Sequence, residues 1–291
     1  MKILLGADAA TGLAAPIVTL LKRLRFNASQ VEAARVVAPP LTVSWQMEPG
    51  TLPLSYPDLI EADEKRAKEL TAEVARAFDG GVATVLHGSP AGELLRRAEE
   101  GGADLIAVNG HEDSPLIAFL IGSTARSLVL GARQSVLLAK PDDEAGDAPV
   151  RAVLATDHSE YADRACEGLL RLWPRGLEHV TILSSYPEDR LRALEPLLPP
   201  LGISPTKALH DQLDSRNEAL AEKLRACCPS VETLVSPLPV HEAIAIAMTG
   251  AKADLLILGA RGHGFLERLT LGSVALQEAL TLPHSVLVLR N

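Results

Sequence analysis

Short apolar runs alternate along the chain with longer stretches in which apolar residues recur every three or four positions. In the second half, "RAVLAT" (151–156) is a β-type run, followed by a helical pattern from Ser159 to Leu172. "VTILSS" (180–185) predicts the next strand, and a segment with several prolines then leads to a helix near 215–227, "SRNEALAEKLRAC". "VETLVS" (231–236), a helix near 240–249, "DLLILG" (254–259), a helix from Ser273 and "SVLVL" (285–289) complete five strands and four helices. The strands are nearly continuous in apolar residues, as expected where helices cover both faces of a parallel sheet. The charged run at 61–76 in the first half reads as a helix with one wet face.

The pattern occurs twice. "GADLIAVNG" (102–110) matches "KADLLILGA" (252–260), and Asp104 falls opposite Asp254. "IGSTARSLVLGARQSVLLAK" (121–140) matches "LGSVALQEALTLPHSVLVLR" (271–290), and "KILLGAD" (2–8) matches "RAVLATD" (151–157). Between the copies lies "KPDDEAGDAP" (140–149), acidic and Pro- and Gly-containing, which reads as a linker. Two domains follow, 1–143 and 148–291, each a doubly wound five-stranded parallel sheet in α/β alternation.

Composition narrows the function. A net charge of −9 argues against nonspecific nucleic-acid binding, which needs a basic surface. Asp8 breaks the apolar N-terminus early, so it reads as an opening strand rather than a signal peptide, and no apolar run is long enough for a membrane span. The three cysteines, Cys166, Cys227 and Cys228, form no disulfide framework and are expected to pack in a reducing, cytoplasmic setting.

The chemistry centres on "GARGHGFLERLTLGS" (259–273). With strand order 3-2-1-4-5, ligands settle at the carboxyl ends of strands 1 and 4, where the winding reverses. The loop after strand 1 carries "ATDHSE" (155–160), and the loop after strand 4 carries the glycines. Gly259 and Gly262 remove side chains where a ligand approaches backbone and permit positive φ in a tight turn. Gly272 and Ser273 mark the start of the last helix, whose free N–H groups suit phosphate oxygens. Arg261, His263 and Arg268 add donors or charge nearby. His158 and His263 are expected to face solvent rather than act in catalysis, and His241 opens a helix in water. His111-Glu112-Asp113 offers no helical ligand spacing for a metal.

G-x-x-G, nine residues, then G-S (Gly259, Gly262, Gly272, Ser273) resembles the nucleotide-binding motif of the universal stress protein family, and "LATD" followed by "HSE" is similar to that family's opening. The resemblance spans both halves and implies a tandem protein of the adenine-nucleotide α-hydrolase-like fold. It implies ATP, with Asp157 and the backbone around Thr156 at the adenosine end and Gly259 and Gly262 along the sugar and phosphates. Gly272, Ser273 and the Val274 amide would meet the terminal phosphates, and Mg²⁺ or Mn²⁺ would bind mainly through those phosphates. It further implies that the last strands of the two domains pair as an intramolecular pseudo-dimer, with a further homodimer and an unidentified protein partner open.

The first half departs from the motif. Asn109 and Glu112 stand where Gly259 and Gly262 stand in the second, so the first half is expected to have lost nucleotide binding or to bind something else. One site per chain is the expectation. The leading reading is an ATP-binding regulatory or stress-response protein. A slow ATPase or nucleotide-dependent enzyme is the alternative, although only Asp157 and, less clearly placed, Glu267 offer a carboxylate and the glycine loop has no lysine. A structural module whose glycines serve only turns is the third reading.

Overall fold

The computed structural model describes residues 1–7, 15–38, 56–110, 122–141, 146, 148–194, 204–260, 273–281 and 283–290. The first half runs β1 (Lys2–Gly6), α1 (Pro16–Leu24), β2 (Gln30–Val37), α2 (Tyr56–Arg76), β3 (Val82–His87), α3 (Pro90–Gly101), β4 (Leu105–Asn109), α4 (Ser123–Gly131) and β5 (Ser135–Ala139). The second runs β6 (Val150–Ala155), α5 (Glu160–Leu172), β7 (Leu177–Ser185), α6 (Glu188–Leu194), α7 (Pro205–Arg225), β8 (Ser230–Ser236), α8 (Val240–Ala251), β9 (Leu255–Gly259), α9 (Ser273–Thr281) and β10 (Ser285–Leu289).

All strands join one ten-stranded sheet in the order β3-β2-β1-β4-β5-β10-β9-β6-β7-β8. Each half is therefore wound 3-2-1-4-5, and its strands are parallel. The two halves meet where β5 and β10 pair antiparallel, Leu137 opposite Leu287 and Leu138 opposite Val286. Each apolar last strand thus covers the other's edge, the hazard that an exposed edge presents. Hydroxyls close both ends of the seam: Lys140 N–H donates to Ser285 Oγ at 3.1 Å, and Arg290 N–H to Ser135 Oγ at 3.1 Å.

Period-two burial explains how the sheet holds its helices. Ile3, Leu5, Leu105 and Leu137 face one core with Ile17 of α1, Val74 of α2, Leu169 of α5 and Leu224 of α7. Leu4, Ile106, Val136 and Leu138 face the opposite core with Leu94 of α3, Leu128 of α4, Ile244 of α8 and Ala275 of α9. Helices of both halves share each face, which makes the cores continuous across the seam.

The repeated aspartates have a structural duty. Asp104 accepts the backbone N–H of Lys2 at 2.7 Å, and Asp254 accepts that of Arg151 at 2.9 Å. Each carboxylate pins the start of the first strand to the start of the fourth. The same two basic side chains close helix ends, Lys2 Nζ donating to Gly101 O and Arg151 Nε to Ala251 O. Arg23 of the first half also pairs with Asp254, tying the halves together.

The structure departs from the pattern reading in the second half. The last long helix before β8 begins at Pro205, well ahead of 215, because proline at the first helical position gives up an N–H that has no partner there anyway. The short α6 was not expected; Glu188 and Asp189 in its first turn favour a helix start. No described helix is long and apolar enough to cross a membrane. Cys166 and Cys228 are buried, but Cys227 is exposed beyond the end of α7, so it does not pack as expected.

Candidate functional site

The winding reversal of the second half falls between β6 and β9, which pair directly. Ala155 lies opposite Leu258, so Thr156 and Gly259 are the next residues along two adjoining strand ends. Gly259 keeps the strand conformation of β9, and the chain leaves it through Ala260, whose N–H donates to Leu289 O at 2.9 Å. It is not among the residues with positive φ, so turn geometry does not require a glycine there.

Thr156 is buried and fixed on every side. Its N–H donates to Leu183 O at 2.9 Å, its hydroxyl accepts the His158 N–H at 3.1 Å, and its carbonyl accepts from Ser184 Oγ at 3.0 Å. Asp157 is exposed at the rim, and its Oδ1 accepts the Ser159 N–H at 3.0 Å, a side-chain-closed turn. Ser159 then caps α5, its hydroxyl accepting the Ala162 N–H at 3.2 Å. The turn carboxylate and the helix cap are thus two residues apart.

His158 overturns its expected exposure. Only 5% of it is accessible, and it adopts a left-handed backbone with φ of 52°. Its Nε2 lies 2.8 Å from Asn217 Oδ1. Asn217 is fully buried in α7; its Nδ2 donates to Leu234 O at 3.2 Å, which identifies the other end as the carbonyl oxygen. That oxygen also lies 2.8 Å from Ser184 Oγ, whose one proton is shared between it and the Thr156 carbonyl. An amide oxygen only accepts, so His158 carries its proton on Nε2. Nδ1 faces Asp163 at 3.6 Å, and Asp163 in turn holds Arg216 at 2.9 Å. A buried polar network therefore fixes the loop after β6 to β7, β8 and α7.

Sequence reading named neither Asn217 nor Ser184 as a functional residue. Asn217 shares the buried stripe of α7 with Ala221 and Leu224, so a polar residue at a core position of the helical repeat was the available signal. Ser184 carries no comparable mark.

Of the predicted ligand residues, the structure brings Thr156, Asp157 and Gly259 together. Ser273 opens α9 and Val274 follows it, partly buried. Arg261, Gly262, His263 and Gly272 lie outside the described residues, as do Arg268, Glu267, His111, Glu112 and Asp113. His241 sits in the first turn of α8, partly exposed as expected, and its Nδ1 is in addition hydrogen-bonded to the buried Glu278 of α9, so it joins two helices. Asn109 ends β4 as Gly259 ends β9, and its Oδ1 accepts the Ile17 N–H at the start of α1 at 3.1 Å.

Two doubly wound domains joined through their last strands define a tandem α/β protein. The profile of the universal stress protein family matches residues 1–140 and again 150–290, and the chain belongs to that family. Among solved structures, a universal stress protein from Archaeoglobus fulgidus DSM 4304 is similar at 19% identity and TM-score 0.63, covering 99% of this chain and 98% of that one. A putative universal stress protein from Pseudomonas aeruginosa UCBPP-PA14 aligns at 15% identity and TM-score 0.56, covering 99% of this chain and 92% of that one. These likenesses establish the fold over the whole chain. No curated protein matches the sequence.

Proposed function

We propose that the C-terminal half binds ATP and that nucleotide occupancy, rather than turnover, is the protein's working signal in a cytoplasmic stress response. The observation that carries this reading is the register of β6 and β9, which sets Thr156 and Asp157 beside the side-chain-free end of β9 at Gly259. The residues fit an adenine nucleotide. Glycine gives ligand atoms access to the strand-end backbone, and the network through His158 and Asn217 keeps the opposite wall rigid before a ligand arrives. The sequence places Arg261, Gly262, His263 and Gly272 in the connection from Gly259 to α9, whose first N–H groups suit terminal phosphates.

Bound ATP would bring Mg²⁺ or Mn²⁺ on its own phosphate oxygens. Asp157 already holds the Ser159 N–H, which makes it a positioning carboxylate at the rim rather than an unengaged base. For that reason the regulatory reading is preferred to a slow ATPase. Calorimetric titration with Mg-ATP tests the proposal. Saturation near one ATP per chain, abolished in Gly262→Glu, supports it; equal binding by that variant, or no binding by folded, ligand-stripped protein, refutes it. A second bound ATP would contradict the expectation for the first half.

A further inference from the structure

The N-terminal half has a crevice of about 460 Å³ at the carboxyl end of β1, and Arg35 and Asn109, which line it, each have one covered nitrogen without a hydrogen-bond partner. Its volume falls within the range typical of small-molecule sites. Gly6 pairs with Ala34 and Leu5 with Ala107, so one step past the first pair and two past the second Arg35 of β2, Ala7 and Asn109 of β4 form a single row. Residues in one row of a parallel sheet point to the same face. Arg35 and Asn109 therefore flank the small Ala7 side chain, about 10 Å apart at two strand spacings.

Each has an orphaned nitrogen. Arg35 Nε and Asn109 Nδ2 are both buried and without a hydrogen-bond partner. The Asn109 carboxamide cannot escape by turning over, because its oxygen is committed to the Ile17 N–H. Its amino group must face away from α1. The Arg35 guanidinium approaches Asp63 through Nη2 at 3.7 Å, beyond hydrogen-bond reach, and Asp63 is 46% exposed. That contact leaves Nε unmet. Asn217, at the corresponding end of the other half, has both ends of its amide satisfied. Both residues line the crevice, where the Arg35 guanidinium stands beside the Asp63 carboxylate, and the cation favours an anionic partner. Gly122 caps the adjoining α4 without a side chain, so it offers no acceptor to that helix's opening turn, which also borders the crevice.

The geometry points to a binding site here for a small organic anion, a carboxylate or a phosphate monoester rather than a nucleoside triphosphate, held by Arg35 and Asn109. A nucleotide is disfavoured by Asn109 itself, whose side chain fills the strand-end approach that Gly259 leaves open in the other half. The site is independent of the nucleotide site and survives the failure of that reading.

The test is an NMR titration of the full chain at constant ionic strength, following the Arg35 Nε–H and Asn109 side-chain amide signals. Succinate, glycerol 3-phosphate and inorganic phosphate are the probes, and Mg-ATP is run in parallel. The expected result is saturable movement of both signals by succinate or glycerol 3-phosphate, with a Kd below about 1 mM. Succinate alone identifies a carboxylate site; glycerol 3-phosphate alone identifies a phosphate ester site. Arg35→Gln should weaken binding by about tenfold or more. Asn109→Asp keeps the acceptor for Ile17 and replaces the donor with a repelling charge, so it should weaken binding at least as much without loosening α1. Gly262→Glu should leave it unchanged. The proposal is overturned if no organic probe moves the two signals by 10 mM (about 2.7 kcal/mol of binding), if both variants bind like the parent, if inorganic phosphate binds as well as the organic anions, or if Mg-ATP saturates the same two signals.

Discussion

Asn217→Ala isolates the network that holds the proposed nucleotide wall. The change removes the hydrogen bonds from His158 Nε2 and to Leu234 O, and the share of the Ser184 hydroxyl proton. Each buried bond contributes about 1 kcal/mol net. Ser184 keeps the Thr156 carbonyl as a partner, so it is not orphaned. His158 is; its buried N–H loses its acceptor, which adds about 1–3 kcal/mol. Against this, alanine is the better helix former by up to about 0.7 kcal/mol at an interior position. The balance is a loss of roughly 3–5 kcal/mol. Urea unfolding followed by far-ultraviolet circular dichroism should show a lower midpoint at an unchanged slope. Because Thr156 and His158 share the network, Mg-ATP affinity should fall in the same variant, measured well below its unfolding midpoint. A stability loss under about 1 kcal/mol would refute the reasoning, since water or a local shift would then be replacing the bonds at little cost.

Three other outcomes follow from the packing. A Cβ on Gly176 would lie 1.8 Å from the Arg23 carbonyl oxygen, backbone of the other half, and no rotamer relieves that contact. Gly176→Ala should therefore lose its N–H bond to Leu24 O and cost about 1–3 kcal/mol in urea unfolding; a neutral effect would contradict the docking of this turn on α1. Burial pushes the Cys166 thiol up to about 12, and Cys228 is raised by burial as well, whereas Cys227 is exposed. Thiol titration of the native chain should find one accessible group, lost in Cys227→Ser, and two further groups only on unfolding. Burial, with Arg151 nearby, holds the His179 imidazole below its usual value of 6.5 against the pull of Glu232 and Glu178. The unfolded ring then takes up a proton first as pH falls below about 6.5, so stability declines by up to about 1.4 kcal/mol per pH unit until the native ring titrates. His179→Gln should flatten that part of the stability profile.

The parts of the fold that were legible in the sequence are those governed by local periodicity and repetition. Continuous apolar runs such as "SVLVL" gave strands with both faces buried, whereas the pairing of Leu137 with Leu287 was expected from the family resemblance, since a loop can equally cover an apolar edge. The repeated Asp104 and Asp254 were visible as a match, but their role was not, since it depends on which backbone N–H the next strand presents. The site was half legible. Strand order sufficed to bring Thr156 and Gly259 together. Burial of His158 was not foreseeable from its loop, because the acceptor that buries it lies on α7, 59 residues away. Proline in the segment before α7 suggested a break, although at Pro205 it starts the helix.

The antiparallel seam has a consequence for how two ligands would act on one chain. Strands point in opposite directions on either side of β5 and β10, so the carboxyl ends of β1 and β4 and those of β6 and β9 lie at opposite edges of the sheet. No ligand could touch both crevices. What links them is packing: α4 borders the first crevice and rests on α9, which begins where the glycine connection ends, and Arg23 grips Asp254 beneath the second domain. Interiors this tightly packed transmit displacement only if an element has two stable positions. The seam strands are wholly buried and doubly paired, which opposes such a second position. The α4–α9 contact lies outside the sheet ladder and is not held by it. By linkage any such coupling is reciprocal, so ATP would change anion affinity in the first half by the same factor as the anion changes ATP affinity in the second.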